Sequence, residues 1–236
     1  MWRAYAEAAH HLGARLTAEV LGPGRSGKRL EDLARRLQRE LDPMMQKAFE
    51  SLSEAGDIAC AAGCDQCCRT LPVTAGPFEI FVLAHRIADM TAGDPGLAAR
   101  IAAAAEATSA GSARSDGVEA PGAVAPCPLL GEDGLCRVYS SRPLACRSCV
   151  SGDVAACMAC ADTTLVPRST AHQLGAGAMM QGVRDALDGL GLAGALVELR
   201  AGLAMAVADE TAERRWLRGE DVFGDAERDA AGPDGG

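Results

Sequence analysis

The chain has 236 residues, enough to bury a substantial core as one large or two small domains. Hydrophobic residues make up 48%, but aromatics only 3%, and alanine supplies much of the rest; such a composition leans towards helices rather than sheets. The formal charge of −9 argues against a nucleic-acid partner, whose phosphates demand clustered cations.

The N-terminal MWRAYAEAAHHLGARL lacks the unbroken apolar core of a signal peptide. The most apolar stretch, Leu187 to Ala208, is interrupted by Asp188, Glu198 and Arg200, so no membrane span is expected. A cytoplasmic location is the default expectation. There thiols stay reduced, and the ten cysteines read as ligands rather than five disulfides.

Residues 2 to 21 read as a helix ended by Gly22-Pro23-Gly24, with His10 and His11 as surface histidines because adjacent side chains diverge. From Lys28, Leu30, Leu33, Leu37 and Leu41 follow one helical stripe. Asp42-Pro43 has the form of a cap followed by a first-turn proline, so a new helix is expected there, carrying Met45, Phe49 and Leu52 and stopping near Gly56. The Met44-Met45 pair is assigned to core packing.

The stretch CAAGCDQCC follows, with Cys60, Cys64, Cys67 and Cys68 within nine residues. Gly76-Pro77-Phe78-Glu79 starts a helix, with Pro at its first position and Glu in its first turn; Ile80, Leu83, Ala84 and Ile87 are its buried stripe, beside His85. Asp94-Pro95 repeats the start, and an alanine-rich helix runs to about Ala107. The Gly/Ser/Pro-rich segment from Thr108 to Pro126 reads as a flexible loop. Closing it costs little, since each doubling of loop length adds only about 0.6 kcal/mol.

A second cluster spans Cys127, Cys136, Cys146, Cys149, Cys157 and Cys160. Thr163 to Arg168 is expected to be irregular, and from Thr170 to Gly219 the chain turns helical again. A break is expected near Gly189, then a stripe of Leu192, Leu196, Leu199, Leu203 and Val207, with Trp216-Leu217 as a hydrophobic lid. The tail after Phe223 has no apolar pattern and is expected to be disordered.

Cys64-x-x-Cys67, Cys146-x-x-Cys149 and Cys157-x-x-Cys160 let one backbone turn present two sulfurs to one ion. Adjacent Cys67 and Cys68 point apart in most conformations, which suggests that they serve different ions or different irons of one cluster. Three pairs, a doublet and two flanking thiols predict that both segments meet around one or two metal centres, with all ten cysteines as candidate ligands. Zinc, iron–sulfur clusters and copper(I) all accept thiolates. Arg69, Arg137, Arg142 and Arg147 lie around the sulfurs, where charge compensation is favoured over binding an anionic substrate.

CAAGCDQCCRTLPVT, then CPLL, then GLCRVYSSRPLACR, resemble the motifs of the YkgJ-type cysteine-cluster family, whose members are described as zinc- or iron-chelating and elsewhere as iron–sulfur proteins. The resemblance runs from Cys60 to Arg147. It implies chelation by Cys60, Cys64, Cys67, Cys68, Cys127, Cys136 and Cys146. Many members have two residues between the first two cysteines and an aromatic residue after Cys-Arg, where this chain has three and Ser148-Cys149. Cys149, Cys157 and Cys160 therefore either complete the first site or form a second. One branch resembles flagellin lysine methylases, but no cofactor motif for methyl transfer is present.

The expected fold is mostly α: one helical domain with irregular cysteine-rich loops. It is divided into N-terminal helices (1–57), a cysteine region (58–162), C-terminal helices (163–219) and a tail (220–236). The expected function is a cytoplasmic metal-binding protein holding an iron–sulfur or iron centre, with zinc as the alternative, that works in redox chemistry or modification of a protein partner. A zinc-stabilised scaffold without catalysis is the alternative reading; a thiol–disulfide or storage role ranks below both. No catalytic residue is assigned.

Overall fold

A computed structural model describes residues 1–51, 58–61, 63–91, 93–111, 124–159 and 166–224. Helix dominates, and the only sheet among the described residues has two strands of two residues each. None of the described helices is long and apolar enough to cross a membrane.

Helix α1 (Trp2–Leu21) lies against α8 (Thr170–Gly189). Small residues set how closely these two approach. A Cβ on Gly182 would sit 1.9 Å from the His10 carbonyl oxygen, and one on Gly13 would sit 2.2 Å from that of Met179. The two backbones therefore touch where side chains would otherwise separate them. His10 stays at the surface, paired to Asp185 at 2.7 Å.

Helix α2 (Gly27–Ser51) crosses α8, α1 and α4. It is continuous through Pro43, which corrects the expected restart at Asp42-Pro43. Pro43 removes one helical hydrogen bond. However, the buried stripe of Leu30, Leu33, Leu37, Leu41, Met45 and Ala48 runs unbroken across it while Pro43 itself faces solvent. Each fully buried leucine contributes about 1.5–3 kcal/mol, so the stripe outweighs a local defect of about 3 kcal/mol. The expected end of this segment, at Leu52 and Gly56, lies outside the described residues.

Helix α3 (Gln66–Thr70) holds part of the first cysteine cluster and leads into strand β1 (Thr74–Ala75). The proline start at Gly76-Pro77 is realised in α4 (Pro77–Thr91). Its first turns are buried on every side, from Pro77 through Leu83, because α2 and α9 pack against it. Helix α5 (Leu97–Gly111) extends beyond the expected end near Ala107, and packs on α9. Residues 112–123 of the expected loop lie outside the described set.

Two short helices, α6 (Leu144–Ser148) and α7 (Val154–Ala159), carry the later cysteines. After α8 the break at Gly189 is present, but residues 190–196 are turn and coil. Leu192 and Leu196 thus belong to no helix, contrary to the expected stripe. The chain instead enters β2 (Val197–Glu198), antiparallel to β1 with Thr74 opposite Glu198, before α9 (Leu199–Ala208) begins. Glu198 caps α9 by accepting from the Arg200 and Ala201 amides, which is why the helix starts there rather than at Leu192.

Helix α10 (Ala212–Leu217) places Trp216 in the core and not over a site as a lid. The indole is fully buried against Phe81, and its Nε1–H donates to the Ala193 carbonyl at 2.9 Å. Residues 225–236 of the expected tail, like Cys160 and residues 163–165 of the irregular segment, lie outside the described residues.

Candidate metal centre

The two cysteine segments are sewn together by backbone hydrogen bonds. The Ala59 amide donates to the Ser151 carbonyl at 3.0 Å, and the Cys127 amide to the Cys68 carbonyl at 2.7 Å. Cys60 adds a side-chain link: its Sγ lies 3.7 Å from the Ser151 carbonyl oxygen and takes the Ser151 amide at 3.3 Å. Ser151 is anchored in turn by its hydroxyl to the Pro167 carbonyl.

Local sequence explains how each thiol is presented. Gly63, with φ +86°, turns the chain between Cys60 and Cys64, a left-handed position that favours glycine. Cys67 and Cys68 ride on α3. Cys127 and Cys136 flank a tight reversal closed by the Leu130–Cys136 bridge, which Gly134 permits with φ +76°. Cys146 lies on α6, whose first amide, Leu144 N–H, donates to Glu79 Oε1 at 2.8 Å. Glu79 also accepts from the Gly76 amide at 3.0 Å. One buried carboxylate thus starts both α4 and α6. Burial pushes it up to about 7 despite those two amides.

All nine described cysteines line one cavity of about 530 Å³. Cys60, Cys64, Cys67 and Cys68 come from the first segment; Cys127, Cys136, Cys146, Cys149 and Cys157 come from the second. Leu71, Leu83, Leu129, Val138 and Leu199 form much of the remaining wall. Among the described residues no His, Asp or Glu lines the cavity. His85, the histidine nearest the cysteines in sequence, is instead held by Glu213 and Glu31.

The thiols are not equivalent. Cys67 accepts hydrogen bonds from Cys149 and then Cys68, which holds it well below the ordinary thiol value, and the same contacts push both donors up. Cys127, Cys136 and Cys146 are raised first by burial. As they stand, no three His, Cys, Asp or Glu side chains among the described residues form a ready ligand set. The nine cysteines share one chamber without converging on a common point within it.

Three of the four arginines read as charge compensators point elsewhere. Arg69 pairs with Asp65, Arg137 with Asp94, and Arg147 with Asp42. Arg147 also reaches Gln38 and the Ser140 and Arg142 carbonyls, tying α6 to α2. Only Arg142 of that group lines the cavity, together with Arg168 and Arg200, which sequence reasoning did not single out. Arg200 is 1% exposed and pairs with Glu198 at 3.0 Å; its Nε and Nη2 donate to the Ala125 and Leu71 carbonyls. Its sequence signal was present: a Glu-x-Arg pair inside the most apolar stretch of the chain.

A chamber walled by nine thiols with nearby guanidiniums suits a soft cation or cluster bound by thiolates. It does not suit the two-His-one-carboxylate arrangement of mononuclear iron oxygenases. The CxxCxxCC family model, described as a putative zinc- or iron-chelating domain, matches residues 59–163. That span contains every cysteine of the chain. No curated protein and no solved structure matches the chain.

Proposed function

We propose that residues 59–163, which match the CxxCxxCC family model, hold an iron–sulfur centre through thiols of both segments, and that the chain uses it in redox chemistry with, or modification of, a cytoplasmic protein partner. The observation that carries this reading is the donor set. Nine sulfurs and no imidazole or carboxylate line one chamber among the described residues, more than twice the four thiolates of a closed zinc site. The proposed ligands are drawn from Cys60, Cys64, Cys67, Cys68, Cys127, Cys136 and Cys146, with Cys149 and Cys157 beside them.

A bound iron–sulfur cluster supplies one-electron transfer. The chain's own residues provide the setting. Leu71, Leu83, Leu129 and Leu199 give the chamber an apolar wall, and Arg142, Arg168 and Arg200 bring positive charge to the sulfurs. Because burial favours the protonated forms of Cys127, Cys136 and Cys146, metal uptake releases protons and strengthens as pH rises.

Anaerobic purification followed by visible absorption and iron, sulfide and zinc analysis tests the reading. The expected protein is coloured and contains iron and acid-labile sulfide; a colourless protein with stoichiometric zinc contradicts it. One observation favours a zinc-held scaffold as the second reading. The helices that carry cysteines, α3, α6 and α7, have only five or six residues, and a region so poor in core gains folding free energy from any closed tetrathiolate site.

A further inference from the structure

One guanidinium on the cavity wall is not used by the fold. The Arg142 carbonyl accepts from Gln38 Nε2 at 3.1 Å and from Arg147 Nε at 3.2 Å, so its backbone is fixed against α2 and α6. Its side chain makes no hydrogen bond or ion pair among the described residues. The Arg142 Cζ lies 3.8 Å from the centroid of the Tyr139 ring, and its Nε is buried with no acceptor. No other buried side-chain nitrogen or oxygen among the described residues is left in that condition.

A buried donor without an acceptor carries its whole desolvation penalty, and folded chains seldom keep one without a use. Arg200, by contrast, has an acceptor at each of its three side-chain nitrogens, from Ala125, Glu198 and Leu71. The cavity that Arg142 lines holds nine cysteines and, among the described residues, no carboxylate or imidazole. The charge of Arg142 favours the thiolate of Cys136, six residues earlier across the turn Tyr139–Ser141. A neutral thiol is a weak acceptor, whereas a metal-bound thiolate is a charged one. Because solvent does not reach the Nε, an internal acceptor fits it better than a dissolved anion.

We propose that Arg142 is a positioning residue of the metal centre, whose Nε–H donates to the Cys136 sulfur once that sulfur is metal-bound. This inference rests on the metal-centre reading above. The stack on Tyr139 holds the guanidinium plane in place, and the N–H···S bond stabilises the thiolate and the reduced form of any redox-active centre. Outer-shell donors of this kind typically set metal affinity by about 10- to 100-fold.

The test uses the full chain loaded with the metal it is found to hold. Metal affinity is measured by chelator competition for wild type, Arg142→Gln, Arg142→Lys and Tyr139→Leu, with far-UV circular dichroism as a control on folding. The expected result is a loss of about 10- to 100-fold for Arg142→Gln at unchanged helix content, partial recovery in Arg142→Lys, and a smaller loss for Tyr139→Leu. If the centre is redox-active, its midpoint potential falls in Arg142→Gln. An affinity for Arg142→Gln within twofold of wild type overturns the inference. So does inorganic phosphate that perturbs the wild-type centre but not the Arg142→Gln centre, since the guanidinium then serves an external anion. Should Arg142→Gln fail to fold, Arg142→Lys decides alone, and wild-type affinity and potential in it overturn the inference. A wild-type chain that takes up no metal sinks the metal-centre reading itself, a different result from a loaded wild type matched by its variants.

Discussion

The helical bundle and the cysteine region are built by different means. The bundle rests on helices of 20 and 25 residues, with Leu30, Leu33, Leu37, Leu41, Ile80 and Leu83 at 0% exposure. In segments 58–75 and 124–159 the buried apolar side chains are only Ala75, Leu129, Val138, Pro143, Leu144 and Cys157. There the chain is held by hydrogen bonds between distant segments and by short helices that are not stable alone. The contrast teaches that one part carries its own folding free energy, whereas the other, on the function proposed above, draws part of it from what its sulfurs bind.

Metal removal should separate the two most sharply. After anaerobic chelation, amides in 58–61, 63–75 and 124–159 are expected to lose hydrogen-exchange protection, while those of α1, α2 and α8 keep it. Unfolding of the whole chain in one step would break the comparison.

The next largest effect lies at the joint. Arg200 belongs to the bundle but holds the Leu71 and Ala125 carbonyls of the cysteine region. Arg200→Ala leaves the buried Glu198 without its counter-charge, and a loss of about 3–5 kcal/mol in urea unfolding is expected, together with weaker metal retention. A Gly182→Ala substitution strikes the bundle alone. Its new methyl meets the His10 carbonyl, and about 1–3 kcal/mol should be lost in thermal melts while metal content per folded molecule stays constant.

Smallest is the effect of His85, which joins α4 to Glu31 of α2 and Glu213 of α10 at 3.3 and 2.5 Å. The hydrogen bond to Glu213 raises its pKa above the ordinary 6.5 against some desolvation. The ion pair therefore contributes fully below about pH 6.5 and fades as pH rises through the higher folded value. Since the site is partly exposed, His85→Gln should cost less than about 1 kcal/mol at pH 6. The gap to wild type should narrow as pH rises through the folded value. A gap that widens with pH would contradict the sign.

Local signals in the sequence were readable where one residue decides a conformation. The Gly76-Pro77 start, the leucine stripe from Leu30 to Leu41 and the break at Gly189 are of this kind. Pro43 misled because its local preference is overruled by a stripe that continues on the opposite face. Leu192 and Leu196 fit a helical period, yet pairing of β2 with β1, some 120 residues away, claims the chain just beyond them. Two-residue strands carry no periodicity to read.

The cysteine site was legible as a set but not as an arrangement. Thiol spacing placed both segments at one point, and the cavity contains all nine described sulfurs. That Cys67 meets Cys149, that Arg200 braces the wall and that Arg147 faces away are long-range facts, written in no short stretch of sequence.

The central claim, that sulfurs from two distant segments hold one centre, is tested most directly by metal stoichiometry in Cys68→Ser and Cys146→Ser, each purified without oxygen beside wild type. A single shared centre predicts that each substitution, made in a different segment, lowers metal content well below that of wild type while helix content is kept. Full wild-type metal in both variants, or loss confined to one segment, would contradict it.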